Sequence, residues 1–216
     1  GQTISAGAFH KKLNNPIEIV QFISQAGSFQ PRNVGDGQIT GAEIEVRQNM
    51  KLISDALSNF GVVFNFTLIE SQIKLSKTEY ESRLDNARTG QNVEEYREMA
   101  GQAPFLINAG IIYNGNEKAF WNGFEAGLYY NVQGKTLQYV GTADRPDIYS
   151  NPFHSLNLNA NKRFGKDKRM QFGIKVDNIL NAKIESVFSS NNSSDKYFTR
   201  LEPGTKYQLR FGYNIF

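Results

Sequence analysis

Side chains able to do acid–base, nucleophilic or metal chemistry are few in this sequence, and their spacing suits none of the three. Histidine occurs twice, as His10 and His154, and cysteine is absent. The two histidines share no metal-ligand spacing and have no thiolate to join them, so no metal is expected. Glu43 and Glu45 stand on one side of an extended segment, about 7 Å apart by strand rise. That separation would suit glycosidic acid–base chemistry. Arg47 follows on the same side, however, and offers them an ion-pair partner. A ladder of solvated charges explains the trio better. No GxGxxG or P-loop pattern occurs, so no nucleotide cofactor is implied. The sequence does not read as an enzyme.

It offers a recognition surface instead. "YVGTADRPDIYSNPF" places Tyr139, Arg145, Tyr149 and Phe153 within one loop. Their rings and guanidinium can stack on, or hydrogen-bond to, sugars, peptides or chelates. Packing of the loops against one another accounts for the same residues equally well.

Such a loop needs a frame, and the frame is read from alternation. Tyr207, Leu209, Phe211, Tyr213 and Ile215 fall on one side of the final segment, opposite Gln208, Arg210, Gly212 and Asn214. Seven further segments repeat this period of two, at 3–11, 38–48, 60–68, 105–113, 124–134, 155–164 and 170–178. Most are nine to eleven residues long, the length that crosses a bilayer at a tilt. The six prolines fall between or at the ends of these runs. Connections alternate in length: long ones near 13–37, 70–103, 134–153 and 179–205, short ones near 49–58, 114–123 and 165–169. Long loops on one side and short turns on the other mark an outer-membrane barrel. The polar faces are rich in Asn, Gln and Gly, which suits a wet lumen. Glu43, Glu45, Arg47 and Arg210 are then luminal charges. The apolar faces carry aromatic residues near the strand ends, as interfacial girdles require.

Bulk properties agree. The 216 residues include 24 basic and 21 acidic ones, interspersed, for a net charge of +3. No basic patch for nucleic acid is indicated. Mean hydropathy is negative, and no apolar run reaches the roughly 18–20 residues of a membrane helix. An alternating barrel gives just this weak signal. The opening "GQTISAGAFHKK" lacks the basic and apolar regions of a signal peptide, so the chain reads as mature or as beginning in mid-fold.

Four stretches, "NVGDGQITGAEIEVR" (33–47), "REMAGQAPFLINAGIIYNG" (97–115), "FGIKVDNILNAK" (172–183) and "LEPGTKYQLRFGYNIF" (201–216), together resemble the C-terminal part of the barrel of TonB-dependent outer-membrane receptors. The resemblance is strongest to receptors of the Bacteroidetes type, and it spans the whole chain. It implies an all-β, antiparallel transmembrane barrel in which residues 1–216 supply about eight strands, the last third of twenty-two, with the plug domain and earlier strands absent. It implies active transport of a bulky nutrient across the outer membrane of a Gram-negative bacterium. The implied partners are outer-membrane lipid, the remaining strands and plug, the TonB energy-coupling complex through that plug and barrel-assembly machinery; a surface lipoprotein lid, which some relatives of this type carry, is left open by the sequence. Phe216 becomes the terminal aromatic signal for assembly, although it falls on the polar parity of its strand. A self-contained eight-stranded barrel of structural or adhesive role is the alternative, and a soluble β-sandwich ranks behind it. Pairing of 3–11 with 206–216 separates the small barrel from the transporter.

Overall fold

Alternating side chains commit a segment to an extended backbone, and an extended backbone must find neighbours for its N–H and C=O groups. The computed structural model describes residues 2–22, 25, 27–115 and 119–215. The expectation for Phe216 therefore lies outside the described residues. In chain order the strands are β1 (Thr3–Leu13), β2 (Ile17–Gln21), β3 (Phe29–Asn33), β4 (Gly37–Asn49), β5 (Phe60–Lys74), β6 (Tyr96–Arg97), β7 (Phe105–Asn114), β8 (Phe124–Gln133), β9 (Thr136–Tyr139), β10 (Asp147–Ser150), β11 (Ser155–Phe164), β12 (Met170–Asp177), β13 (Ile184–Ser189), β14 (Lys196–Leu201) and β15 (Lys206–Tyr213). One helix, α1 (Lys77–Asp85), lies between β5 and β6.

Eight strands form an antiparallel wall in the order β1-β4-β5-β7-β8-β11-β12-β15. They are the eight segments that alternation identifies. No ladder joins β1 to β15 among the described residues, so the wall is part of a barrel with two open edges. The pairing that a self-contained small barrel requires is not formed.

The register turns alternation into continuous surfaces. Val62, Ile111, Leu128, Leu158, Val176 and Tyr207 are successive partners across six strands. On the other face Glu45, Asn65, Asn108, Asn131 and Ser155 form an equivalent polar row. Within it the Asn131 amide donates to Asn108 Oδ1 at 2.6 Å. A wall that is apolar on one side and amide-rich on the other separates lipid from water.

Towards the long-loop end the two faces exchange character. On the side that was apolar, β1, β4 and β5 present His10–Thr40–Glu70 and Lys12–Gln38–Gln72. These side chains hydrogen-bond among themselves, His10 to Thr40 at 2.9 Å and Gln38 to Gln72 at 3.1 Å. On the side that was polar, Ile39, Ile73 and Met99 are buried, with Phe9, Leu13, Val34 and Ile69 packed against them. Gly41 makes this possible, because a Cβ there would overlap the Phe9 ring and the Leu68 carbonyl oxygen. Above this level β4 and β5 behave like strands of a water-soluble protein, with the core inside.

The long connections, expected as loops, fold into a cap over that end. β14-β13-β10-β9 form a four-stranded sheet, and β2-β3 a hairpin joined to it at Val20 and Val140. Pro31 stands within β3, an edge strand where its missing N–H does no harm. The cap has its own core of Val20, Leu137 and Val140, with Ala100 and Tyr149 against it. Short strands of four to six residues give too little alternation to be read against their neighbours.

Asn178 ties cap to wall at the end of β12. Its side chain accepts from the Ala182 N–H at 2.9 Å and donates to the carbonyls of Ala182 and Gly204, both at 3.0 Å. Gly204 has φ of +70°, and Thr205 Oγ1 donates back to the Asn178 carbonyl at 3.0 Å. The "DNILNAK" and "PG" stretches thus meet at one buried amide.

The last strand checks the face assignment. Phe211 is 67% exposed on the apolar side, while a Cβ at Gly212 meets nothing closer than 3.9 Å. In the complete barrel, Phe211→Arg should destabilise by about 2–4 kcal/mol. Gly212→Arg, on the wet face, should cost less. Urea titration of the heat-modifiable form reads the difference, and equal tolerance at the two positions would refute the assignment.

Candidate functional site

Between the cap elements lies a cleft of about 650 Å³. It is bounded by the β2–β3 hairpin and the residues after it, by α1 and the chain that follows, by residues 140–147, and by 188–196. Arg32, Arg83, Arg88, Arg145 and Lys196 line it, with Glu79, Asp144 and Asp147. The rest of the lining is mostly hydroxyl, amide and backbone, and Phe188 is its only aromatic side chain among the described residues. Such a cavity recognises by hydrogen bonds and charge more than by stacking.

A chain of alternating charges holds these elements in place. α1 begins at Ser76, whose Oγ accepts from the Glu79 N–H at 3.2 Å. This S-x-x-E start, "SKTE", is a helix signal present in the sequence. The helix projects Glu79 and Arg83 one turn apart. Arg83 forms a two-pronged contact with Asp147 of β10, both arms 3.1 Å. Glu79 accepts from Arg97 of β6 at 2.9 Å. Arg97 pairs in turn with Glu18 of β2 at 2.7 Å. Glu18 also accepts the Ala100 N–H at 2.7 Å, anchoring the segment that carries Met99 onto the wall. Asp147 accepts the Gly141 N–H at 2.7 Å.

Burial alone would push the Arg97 guanidinium down. The close contact with the Glu18 carboxylate and the charges of Glu79 and Glu18 outweigh it and hold Arg97 above its usual value. Arg83 is likewise opposed by burial and raised by Asp147. Both cations stay charged, and the network stays paired.

Of the four residues expected to contact substrate, the structure brings Arg145 to the cleft. Its guanidinium donates to the carbonyls of Phe22 at 2.7 Å and Gln25 at 3.3 Å. Tyr139, Tyr149 and Phe153 lie outside the lining. Tyr139 packs among rings from three connections, 4.6 Å from Phe29 and 5.9 Å from Phe198 between centroids. Tyr149 sits on the cap core beneath the Lys135 ammonium, 5.0 Å from its ring centre. Burial pushes the Tyr149 hydroxyl well up, and its hydrogen bond to Glu98 adds to this. Phe153 is half-buried at the approach to β11.

Glu43, Glu45 and Arg47 are exposed on the polar face of β4, and Arg210 on that of β15, opposite Gly173. Among the described residues no ion pair joins Arg47 to either glutamate, contrary to the sequence expectation. All three side chains are exposed, and an exposed pair gains little from closing in water. Sequence reasoning missed Arg32, Arg83, Arg88 and Lys196, because charged residues between strands look like solvated loop. Only the helix start at Ser76 could have drawn attention to Glu79 and Arg83.

The network predicts a local weakness. Glu18→Gln should leave Arg97 half-paired in a site where its side chain is 8% exposed. Loss of one partner of a buried pair costs about 3–5 kcal/mol. Hydrogen exchange should rise across 77–103 and 140–150 while β11, β12 and β15 stay protected. Uniform loss of protection through the wall would contradict an independent cap.

A family model described as TonB dependent receptor-like, beta-barrel, matches residues 1–179. Among solved structures, the ferric-catecholate import receptor Fiu from E. coli K12, in its closed form, is similar with a TM-score of 0.58 at 15% identity. The likeness covers 97% of this chain and 25% of that one, so the chain spans about a quarter of that receptor's length. At this identity the likeness is one of fold. No curated protein matches.

Proposed function

This chain belongs to the TonB-dependent receptor-like β-barrel family, and we propose that it is the C-terminal barrel segment of an outer-membrane importer that captures a bulky nutrient at its cap. The observation that carries this reading is the open wall. Eight antiparallel strands, six of them ten to fifteen residues long, end in two unpaired edges, β1 and β15. In lipid each unpaired backbone group costs several kcal/mol, so further strands must complete the barrel. A wider barrel also suits the polar face, whose glycines and asparagines would underfill an eight-stranded interior.

On this reading the outer membrane of a Gram-negative bacterium is the setting, and the missing strands and plug complete the protein. Energy reaches it from the TonB complex through the plug. Barrel-assembly machinery inserts it, Phe216 serving as the terminal signal, and a surface lipoprotein covers the cap. The Bacteroidetes subgroup rests on the four sequence motifs. Transport makes and breaks no bond in the cargo. The cap binds, and Arg145 together with Arg32 and Lys196 on the cleft gives first contact to the ligand. Tyr139, Tyr149 and Phe153 shape the wall behind it. Glu43, Glu45, Arg47 and Arg210 line the water-filled path below.

Orientation tests the reading directly. Because the chain has no native cysteine, single cysteines report cleanly within it. Cysteine at Ser193 or Thr142, both on the cleft, should react with an impermeant maleimide on intact cells, and cysteine at Lys166 should not. Labelling at Lys166 alone would invert the topology.

Completion is the second test. Residues 1–216 exported alone should give no heat-modifiable barrel, and co-expression of the upstream portion should restore one. A stable heat-modifiable species from 1–216 by itself would revive the small barrel.

A further inference from the structure

The short-turn end carries a second feature, unrelated to the cleft. Phe60, Tyr113 and Phe124 lie on the apolar face there and form a connected ring cluster, with centroids 4.9 Å and 6.0 Å apart. Trp121 extends it, 5.4 Å from Phe124 and 5.9 Å from Tyr113. Phe120 follows, 5.4 Å from Trp121. Phe120 is 74% exposed and Trp121 47%, so the turn continues the apolar band beyond the strands.

Lys162 fixes the level at which that band ends. By register it stands in the apolar row with Phe124, Phe172 and Phe211. Its ammonium bends toward the rim and donates to the carbonyls of Phe120 and of Asn122, the latter at 2.7 Å. A lysine on a lipid-facing surface that turns its charge to backbone carbonyls marks the interface.

Beyond Lys162 the β11–β12 turn is basic. Arg163 is paired with Glu125 at 2.5 Å, and Arg169 with Asp167 at 3.8 Å. Lys166 and Lys168 are exposed and make no ion pair among the described residues. The turn between β4 and β5 differs, since its Lys51 faces Asp55 at 3.9 Å.

We propose that this rim docks on anionic phospholipid headgroups. Trp121 and Phe120 enter the acyl boundary, and Lys166 and Lys168 meet the phosphates. Continuity with the lipid-facing band and the two uncompensated ammonium groups carry the assignment. The topology proposed above decides only which leaflet supplies the lipid, the inner one.

The complete receptor, reconstituted in phosphatidylcholine bilayers, is probed with spin-labelled phosphatidylglycerol and spin-labelled phosphatidylcholine. The parent should prefer phosphatidylglycerol, and Lys166→Gln with Lys168→Gln should weaken that preference by about fivefold for each lysine at low salt. Added salt should erode it in the parent. Lys51→Gln should leave it unchanged. Equal preference in parent and double variant, or none in the parent, overturns the proposal. Heat-modifiability of the same samples reports on the barrel separately. A folded receptor without lipid preference fails this inference alone, and one that forms no barrel fails both.

Discussion

A peptide group in hydrocarbon has no water to turn to, and the architecture follows from that restriction. It requires each wall strand to be paired along its membrane length. It keeps proline out of the wall and confines it to turns and to β3, an edge strand of the cap. It also makes β1 and β15 incomplete as they stand, because each offers one row of donors and acceptors to a neighbour outside the described sheet. The hydrophobic effect then decides only which face looks outward.

The exchange of faces along β4 and β5 shows two solvent regimes within single strands. Over 60–68 the apolar side chains of β5 point away from the polar face, as lipid demands. From Ile69 to Ile73 they point the other way, into the core with Met99 and Ile39. The period of two is never broken, and the chemistry assigned to each parity changes instead. Water therefore wets the outside of the upper strands, and the cap is built on ordinary burial. Its most enclosed side chains, Ile73, Leu137, Ile148 and Val140, all lie at this end.

The wall was legible in the sequence because its signal is long and repetitive. Segments of about nine residues with alternating side chains leave little ambiguity, and the turns between them carry Gly, Asn and Asp. The cap was not legible. β9, β10 and β13 are too short to alternate convincingly, and what holds them is tertiary: rings from three connections around Tyr139, and a relay of carboxylates and guanidiniums from Glu18 to Asp147. Charged residues such as Arg83 and Arg97 look like solvated loop until a fold closes over them. The four residues singled out in 139–153 differ in setting. Tyr149 supports the cap core, whereas Arg145 reaches the cleft. Strand β5 also runs six residues past Leu68, where the sequence reading ended it, since Ile69 and Ile73 carry apolar character on the opposite parity.

Asn178 joins residues 182 and 204 through one buried amide, and the chain between them is held by that clasp at its base and by β10, which pairs β13, above it. The closure of this loop is thus enforced at its base, whatever the intervening chain does. Lengthening a loop already closed adds only a slowly growing entropic term. The connection can be replaced wholesale, for a longer one or one of different shape, without the register of β12 and β15 taking notice. The barrel in this region is a mount with an exchangeable fitting, and the cap is free to change shape while the wall stays fixed.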